Sequence, residues 1–172
     1  MIGDGAVGLC AVLGARNILQ ADRVILMSRN PQRQSVGRAF GATEVLPQRG
    51  EEGVAAVREL TGGLGCRHVV EAVGTPDAWK MAMGMVRDGG TIGSVGVPHT
   101  TPSLPLFELL RHHLRVHVGI APVRHYLPDL ISRVVAGAYD PGAVFDLEIP
   151  LEEVASGYAA MSDRRAIKVM LV

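Results

Sequence analysis

The stretch Gly3-Asp4-Gly5-Ala6-Val7-Gly8 has the spacing G-x-G-x-x-G, and each glycine in it answers a mechanical need. The first permits a tight turn out of a strand, the second lets backbone approach a pyrophosphate, and the third lets a helix pack close to a sheet. A helix opening near Ala6 would aim its free N–H groups at the phosphates. Glycine-rich turns also arise by chance, so the context carries the weight. Here a helical pattern starts at the loop, and the strand that follows ends about twenty residues beyond Gly8, as a dinucleotide fingerprint requires.

Outward from this loop, short apolar runs alternate with longer amphipathic stretches, the rhythm of βαβ units on a parallel sheet. Strands are predicted at residues 24–28, 44–46, 68–71, 90–95 and 115–119. Helices are predicted at 6–19, 31–40, 53–60, 76–86 and 105–112; three carry proline near the first turn, where its missing N–H does no harm. Gly41 and Gly62 stand where helix-ending residues belong. Beyond Gly119 a helix at 124–138, a strand at 144–149, a helix at 151–161 and a strand at 166–171 read as an appended α+β tail. The expectation is a Rossmann-like α/β domain over residues 1–120, a doubly wound sheet in the order 3-2-1-4-5-6, with residues 121–172 as the tail. Only Met1 and Ile2 precede Gly3, so the central first strand is expected to be truncated and its neighbours left with unpaired backbone groups. On this ground the sequence is expected to be a fragment of a longer protein, an expectation that in-frame stop codons just upstream would refute.

Composition narrows the partners. The 172 residues are 48% hydrophobic, enough for one sizeable core, and 17 basic side chains balance 17 acidic ones. No general positive field is available to draw in nucleic acid or an anionic membrane surface. No apolar run reaches membrane-spanning length and no signal segment opens the chain. The two cysteines, Cys10 and Cys66, lie far apart outside any Cys-x-x-Cys spacing, which fits plain buried thiols and a reducing, cytoplasmic address.

The end of the second βα strand discriminates between cofactors, because it meets the adenosine ribose. An acidic residue there accepts hydrogen bonds from the hydroxyls of NAD and repels a 2′-phosphate. This chain offers Ser28 and Arg29, a hydroxyl beside a guanidinium, which suits a phosphate and predicts NADP(H) over NAD(H). Arg33, one helical turn on, is an expected helper. Asp22 precedes the strand and belongs at the opposite edge.

With these pieces in place the chain resembles the medium-chain dehydrogenase/reductase family, in its zinc-dependent alcohol dehydrogenase branch. The likeness rests on the glycine loop, on Gly41-Ala42-Thr43-Glu44, Glu71-Ala72-Val73-Gly74 and Gly93-Ser94-Val95-Gly96-Val97, and on Ala166-Ile167-Lys168-Val169. It implies that Ala72, Val73 and Gly74 pass near the adenosine and ribose. Val95, Gly96 and Val97 would lie along the nicotinamide, and Lys168 would turn toward the pyrophosphate. The resemblance also implies a homodimer formed by edge pairing of the strand at residues 115–119, which would remove an open sheet edge.

Two departures from that family matter. Ser28-Arg29 stands where many relatives carry an acidic residue and prefer NAD. The amino-terminal domain that holds the catalytic zinc ligands in the family has no counterpart here. His112 and His113 are adjacent on a predicted helix and point apart, and His68, His99, His117 and His125 are scattered, so no metal site is expected in this chain. Met81, Met83 and Met85, at a spacing read as unable to form one helical stripe, are expected to fill core. The resemblance implies an oxidoreductase moving hydride between NADP(H) and a small alcohol or carbonyl compound, with chemistry supplied by zinc in the absent half. Two other readings stand beside it: a noncatalytic NADP(H)-binding or sensing module, and a zinc-independent quinone oxidoreductase relative.

Overall fold

The parallel register of the strands, with helices on both faces, makes the chain a doubly wound α/β protein. The structure, a computed structural model, describes residues 1–98 and 103–172; the reading of His99 falls outside them. Strands β1 (Ile25–Met27) and β2 (Glu44–Leu46) pair in parallel, as do β3 (Cys66–Glu71), β4 (Val86–Ser94) and β5 (Arg115–Val118). The two groups are joined by Ile2, which bridges Met27 on one side and Glu71 on the other. Its N–H donates to Val70 O at 2.8 Å, its carbonyl accepts from Ala72 N at 2.9 Å, and Met27 N donates to Met1 O at 3.1 Å. The spatial sequence β2-β1-Ile2-β3-β4-β5 is the order expected, with two residues standing where the central strand belongs.

Alternation along β1 shows why two layers of helix are needed. Ile25 and Met27 face one cluster with Val57, Val69, Met81, Met85 and Ile92. Leu26, with Val24, faces the other, among Leu9, Val12, Leu13 and Phe40. Successive strand residues point to opposite faces, so both sides must be covered. Helices α3 (Gly50–Leu60) and α4 (Pro76–Met85) cover the first face, α1 (Ala6–Asn17) and α2 (Pro31–Ala39) the second. Their starts follow sequence chemistry. Asn30 accepts from Arg33 N at 3.1 Å and Thr75 from Ala78 N at 3.3 Å, each just before a proline at the first helical position. Gly41 and Gly62 take positive φ, +98° and +62°, after the helices they end.

The remainder is α5 (Leu106–Arg111), α6 (Val123–Val135), β6 (Phe145–Ile149), α7 (Val154–Ser162) and β7 (Lys168–Leu171), the last strand pairing in parallel with β6. Tyr139, Val144 and Ile167 close the second cluster, so this segment packs on the α1–α2 face.

Several sequence expectations shift. Helix α3 begins three residues earlier than predicted, because Glu51 and Glu52 fall in its first turn and favour its positive end. The predicted helix at 151–161 opens as a 3-10 turn over Leu151–Glu153 before α7 begins. Strand β4 starts at Val86 rather than at 90, running through Gly89 and Gly90 with a register shift opposite Cys66 and His68. Met81 and Met85 do share a face, one turn apart, and both are buried core; Met83 only packs against it.

Candidate functional site

The glycine loop leaves Ile2 and turns directly into α1, at the carboxyl ends of β1 and β3. Gly3 has φ +109°, and a Cβ there would stand 3.1 Å from Val73 Cγ2. Gly8 lies so close beneath that an added Cβ would come 2.1 Å from Gly3 O, which no side chain survives. At Gly5 the same construction meets nothing within 4 Å. This glycine faces open space, as backbone that must be approached by a ligand should. Gly5 caps α1 without a side-chain bond, and the first intrahelical bond runs from Leu9 N to Gly5 O at 2.9 Å. The N–H groups of Ala6, Val7 and Gly8 precede it and have no intrahelical acceptor.

The far side of the rim is built on Glu71, a fully buried carboxylate. Its Oε1 accepts from Val73 N at 2.6 Å and Gly74 N at 2.7 Å, while its Oε2 accepts from Ser94 Oγ at 2.8 Å. Four lone-pair sites in a dry setting demand several donors, and these three fix the turn Ala72-Val73-Gly74 against the end of β4. Gly74 and Gly96 then cross within backbone contact: a Cβ on Gly96 would stand 2.2 Å from Gly74 N. Val73, Val95 and Val97 are left exposed around this crossing.

Beside the loop opens a cleft of about 880 Å³, lined largely by α3 and α4 with Glu51 and Asp77 among their residues, that also takes in Gly3, Asp4, Arg29, Arg49, Val73 and Arg164. Arg29, at the end of β1, is exposed, and its Nε donates to Pro47 O at 3.2 Å. Arg49 donates through Nη1 to Leu46 O, Pro47 O and Gln48 O at 3.4, 3.4 and 2.9 Å. Neither forms an ion pair with a carboxylate among the described residues.

Asp4 is the buried counter-charge. Ser28 Oγ donates to its Oδ2 at 2.8 Å, Arg164 Nη2 to its Oδ1 at 2.7 Å, and Arg33 Nη1 lies 3.5 Å from Oδ1. Burial pushes the Asp4 carboxyl up, yet the hydrogen bonds from Ser28 and Arg164 and the charges of Arg164 and Arg33 together hold it below its ordinary value.

Of the residues singled out in the sequence, Gly3, Arg29 and Val73 line the cleft, and Gly5, Ala6, Val7 and Gly8 form the adjoining helix mouth. Ser28 and Arg33 are placed differently from expectation. Ser28 is wholly buried with its hydroxyl on Asp4, and Arg33, 5% exposed, is held by Asp4 and by Ala166 O at 3.1 Å. Neither side chain lines the cleft. They shape its floor because Asp4, a charge at the end of a buried strand, must be matched from below. Lys168 lies exposed on β7 and is not part of the lining; Arg164, four residues earlier, is. Arg49, Arg164 and the buried Asp4 escaped the sequence reading. A carboxylate inside the glycine loop was a legible signal for a basic partner, and Arg49 follows a strand parallel to the one that ends at Arg29. Nothing in the local pattern announces Arg164.

Among the described residues no three His, Cys, Asp or Glu side chains gather in a way that could hold a metal ion. His112 Nδ1 instead meets Asp88 Oδ1 at 2.7 Å. No helix among them is long and apolar enough to cross a membrane.

A glycine turn at the carboxyl rim of a doubly wound parallel sheet, leading into an uncapped helix, defines the Rossmann-like class of nucleotide-binding folds. Residues 6–136 match the model of a family described as zinc-binding dehydrogenase, and the chain belongs to that family. It is 35% identical over 165 residues to a probable zinc-binding alcohol dehydrogenase of Mycobacterium tuberculosis, covering 95% of this chain and 42% of that protein. It is 31% identical to a geraniol dehydrogenase of Castellaniella defragrans, covering 100% of this chain and 47% of that one. Among solved structures it superposes on an alcohol dehydrogenase from Thermus sp. ATN1 with a TM-score of 0.90 and 32% identity, covering 99% of this chain and 49% of the other. The chain thus spans less than half the length of these relatives. The zinc in the family's name has no ligand set among the described residues. The nicotinamide dinucleotide that the family implies does fit them: the open face of Gly5, the unbonded N–H groups of α1 and the uncompensated guanidiniums at the rim are all suited to an anionic dinucleotide.

Proposed function

We propose that this chain is the cofactor-binding part of an alcohol dehydrogenase-like oxidoreductase that prefers NADP(H) to NAD(H). One observation supports the preference above others: Arg29 stands in the cleft at the end of β1 without a carboxylate partner, where an acidic residue would reject a 2′-phosphate. Gly3, Gly5, Ala6, Val7 and Gly8 would hold the pyrophosphate through backbone N–H groups. Ala72, Val73 and Gly74 would border the adenosine and ribose, and Val95, Gly96 and Val97 the nicotinamide. Bound nicotinamide supplies or accepts the hydride exchanged with the carbon of a small alcohol or carbonyl compound. Everything this chain's own residues do is binding and orientation, and Glu71 keeps the two rim turns at fixed separation.

The remaining assignments belong to the same proposal. Zinc would sit in a catalytic domain outside this chain. Residues 1–120 would be the dinucleotide-binding domain and 121–172 a tail that packs on the catalytic domain, a role that the exposed Val123, Leu127 and Ile131 on α6 support. Among the described residues strand β5 pairs with β4 alone and has no strand on its other edge, which supports a homodimer through residues 115–119. The two cysteines are free, as a cytoplasmic setting favours.

The test is Arg29→Asp, followed by fluorescence titration with NADPH and NADH. Loss of a charged hydrogen bond should weaken NADPH by about 1–3 kcal/mol more than NADH. Equal losses for both cofactors would remove the basis of the preference.

A further inference from the structure

Arg29 accounts for one cation at the rim, but it does not stand alone. Its Nε and the Nη1 of Arg49 converge on the same acceptor, Pro47 O, at 3.2 and 3.4 Å. Two guanidiniums on one carbonyl oxygen repel each other, and the carbonyls of Leu46 and Gln48 that also hold Arg49 carry no net charge to offset this. Burial chiefly lowers the Arg49 pKa; the charge of Asp4 opposes this, and the neighbouring charges of Arg29 and Arg164 add to the lowering. Asp4 is therefore one carboxylate serving Arg33 and Arg164 by ion pairs and Arg49 by proximity.

The third guanidinium arrives by an unusual backbone route. Arg164 follows α7 with φ +59°, a left-handed conformation that disfavours a residue other than glycine. A glycine would end the helix more cheaply. The arginine at this place reaches back 160 residues in sequence to Asp4, lines the same cleft as Arg29 and Arg49, and stays largely exposed, its side chain at 60%. By contrast Arg33 meets the same carboxylate from the buried side and takes no part in the lining.

We propose that Arg49 and Arg164 are specificity-determining residues that join Arg29 in taking the phosphomonoester dianion at the adenosine 2′ position. The inference rests on the NADP(H) reading above and extends it to a second loop and to the carboxyl-terminal segment. A dianion between these groups offsets the excess positive charge that a single buried carboxylate leaves. A ribose carrying two hydroxyls cannot do this. Arg164 is shared in this arrangement between Asp4 and ligand, which ties the segment after α7 to the nature of the bound cofactor.

The experiment uses two probes that differ only in the group concerned, adenosine 2′,5′-bisphosphate and adenosine 5′-monophosphate, titrated calorimetrically into the purified protein. The unaltered protein should bind the bisphosphate at least tenfold more tightly. Arg49→Met and Arg164→Met should each shrink that ratio about tenfold, the worth of one charged hydrogen bond, with monophosphate affinity held within about twofold. Arg165→Met, on the same loop but paired with Asp163, should leave the ratio unchanged. A missing preference in the unaltered protein would overturn the NADP(H) reading itself. A preference that Arg29→Met abolishes but Arg49→Met and Arg164→Met leave intact would overturn this inference alone, and so would an equal loss in Arg165→Met. Should Arg164→Met lower the thermal midpoint sharply, Arg49→Met still decides, since its partners are the backbone carbonyls of the three residues just before it.

Discussion

Helices α1 and α6 are nearly equal in length, 12 and 13 residues, yet α1 buries Gly8, Leu9, Val12 and Leu13 while α6 buries none of its residues. Both carry apolar residues at helical spacing, and only α1 has a sheet and a second layer to place them against. Val123, Tyr126, Leu127, Ile131, Val134 and Val135 of α6 are exposed, and Leu130 alone touches the core cluster. An apolar stripe states which face seeks cover; it does not say what covers it. The polar groups follow the same division. Around α1, the buried Asp4 and Glu71 are answered within the chain by named donors.

The contrast can be broken most directly at Leu9, which is fully buried. Leu9→Ala should cost about 3–5 kcal/mol in urea unfolding, since removed methylenes leave a cavity that rigid surroundings close only in part. A loss under 1 kcal/mol would mean that the α1 face is as loosely covered as that of α6. Next comes Glu71→Ala, which strands two backbone N–H groups and the Ser94 hydroxyl; about 2–3 kcal/mol should be lost by the same measurement.

Asp4 provides a pH axis. Its folded carboxyl lies below the ordinary value of 3.8, so the unfolded chain binds more protons in that window and stability decreases as the pH is lowered. The contribution is complete above 3.8 and is lost as pH drops through the folded value. Urea midpoints at about pH 6 and pH 3 should therefore fall less in Asp4→Asn than in the unaltered protein. The smallest effect belongs to α6: Ile131→Ala, at a half-exposed position, should move stability by no more than about 0.5 kcal/mol.

Much of the body was legible from the sequence because its elements obey local rules. The loop Gly3 to Gly8, the prolines at Pro31 and Pro76 and the helix-ending Gly41 and Gly62 each signal a boundary through backbone chemistry. Where local rules compete, the reading slips. The expected helix start at 53 leaves out Gly50, although Glu51 and Glu52 favour the helix from there; the expected strand start at 90 leaves out residues 86–89, although β4 runs through Gly89. At the rim, Arg29 could be found by counting from Gly8. The same count reaches Ser28, and helical spacing adds Arg33, but both are buried on Asp4, whose need for partners is a tertiary fact. Arg164 is beyond any window of sequence, since it meets the loop only after the chain has returned across the sheet.

The crossing of Gly74 and Gly96 carries a consequence for anyone who diversifies this scaffold. A methyl group on Gly74 would meet Val97 O at 2.3 Å, and one on Gly96 would meet Gly74 N at 2.2 Å. Each position forbids substitution on account of main chain in the facing turn, so no compensating change of residue at one can rescue the other. A saturation library selected for soluble expression should return a single letter in both columns, and paired randomisation should open no new combination.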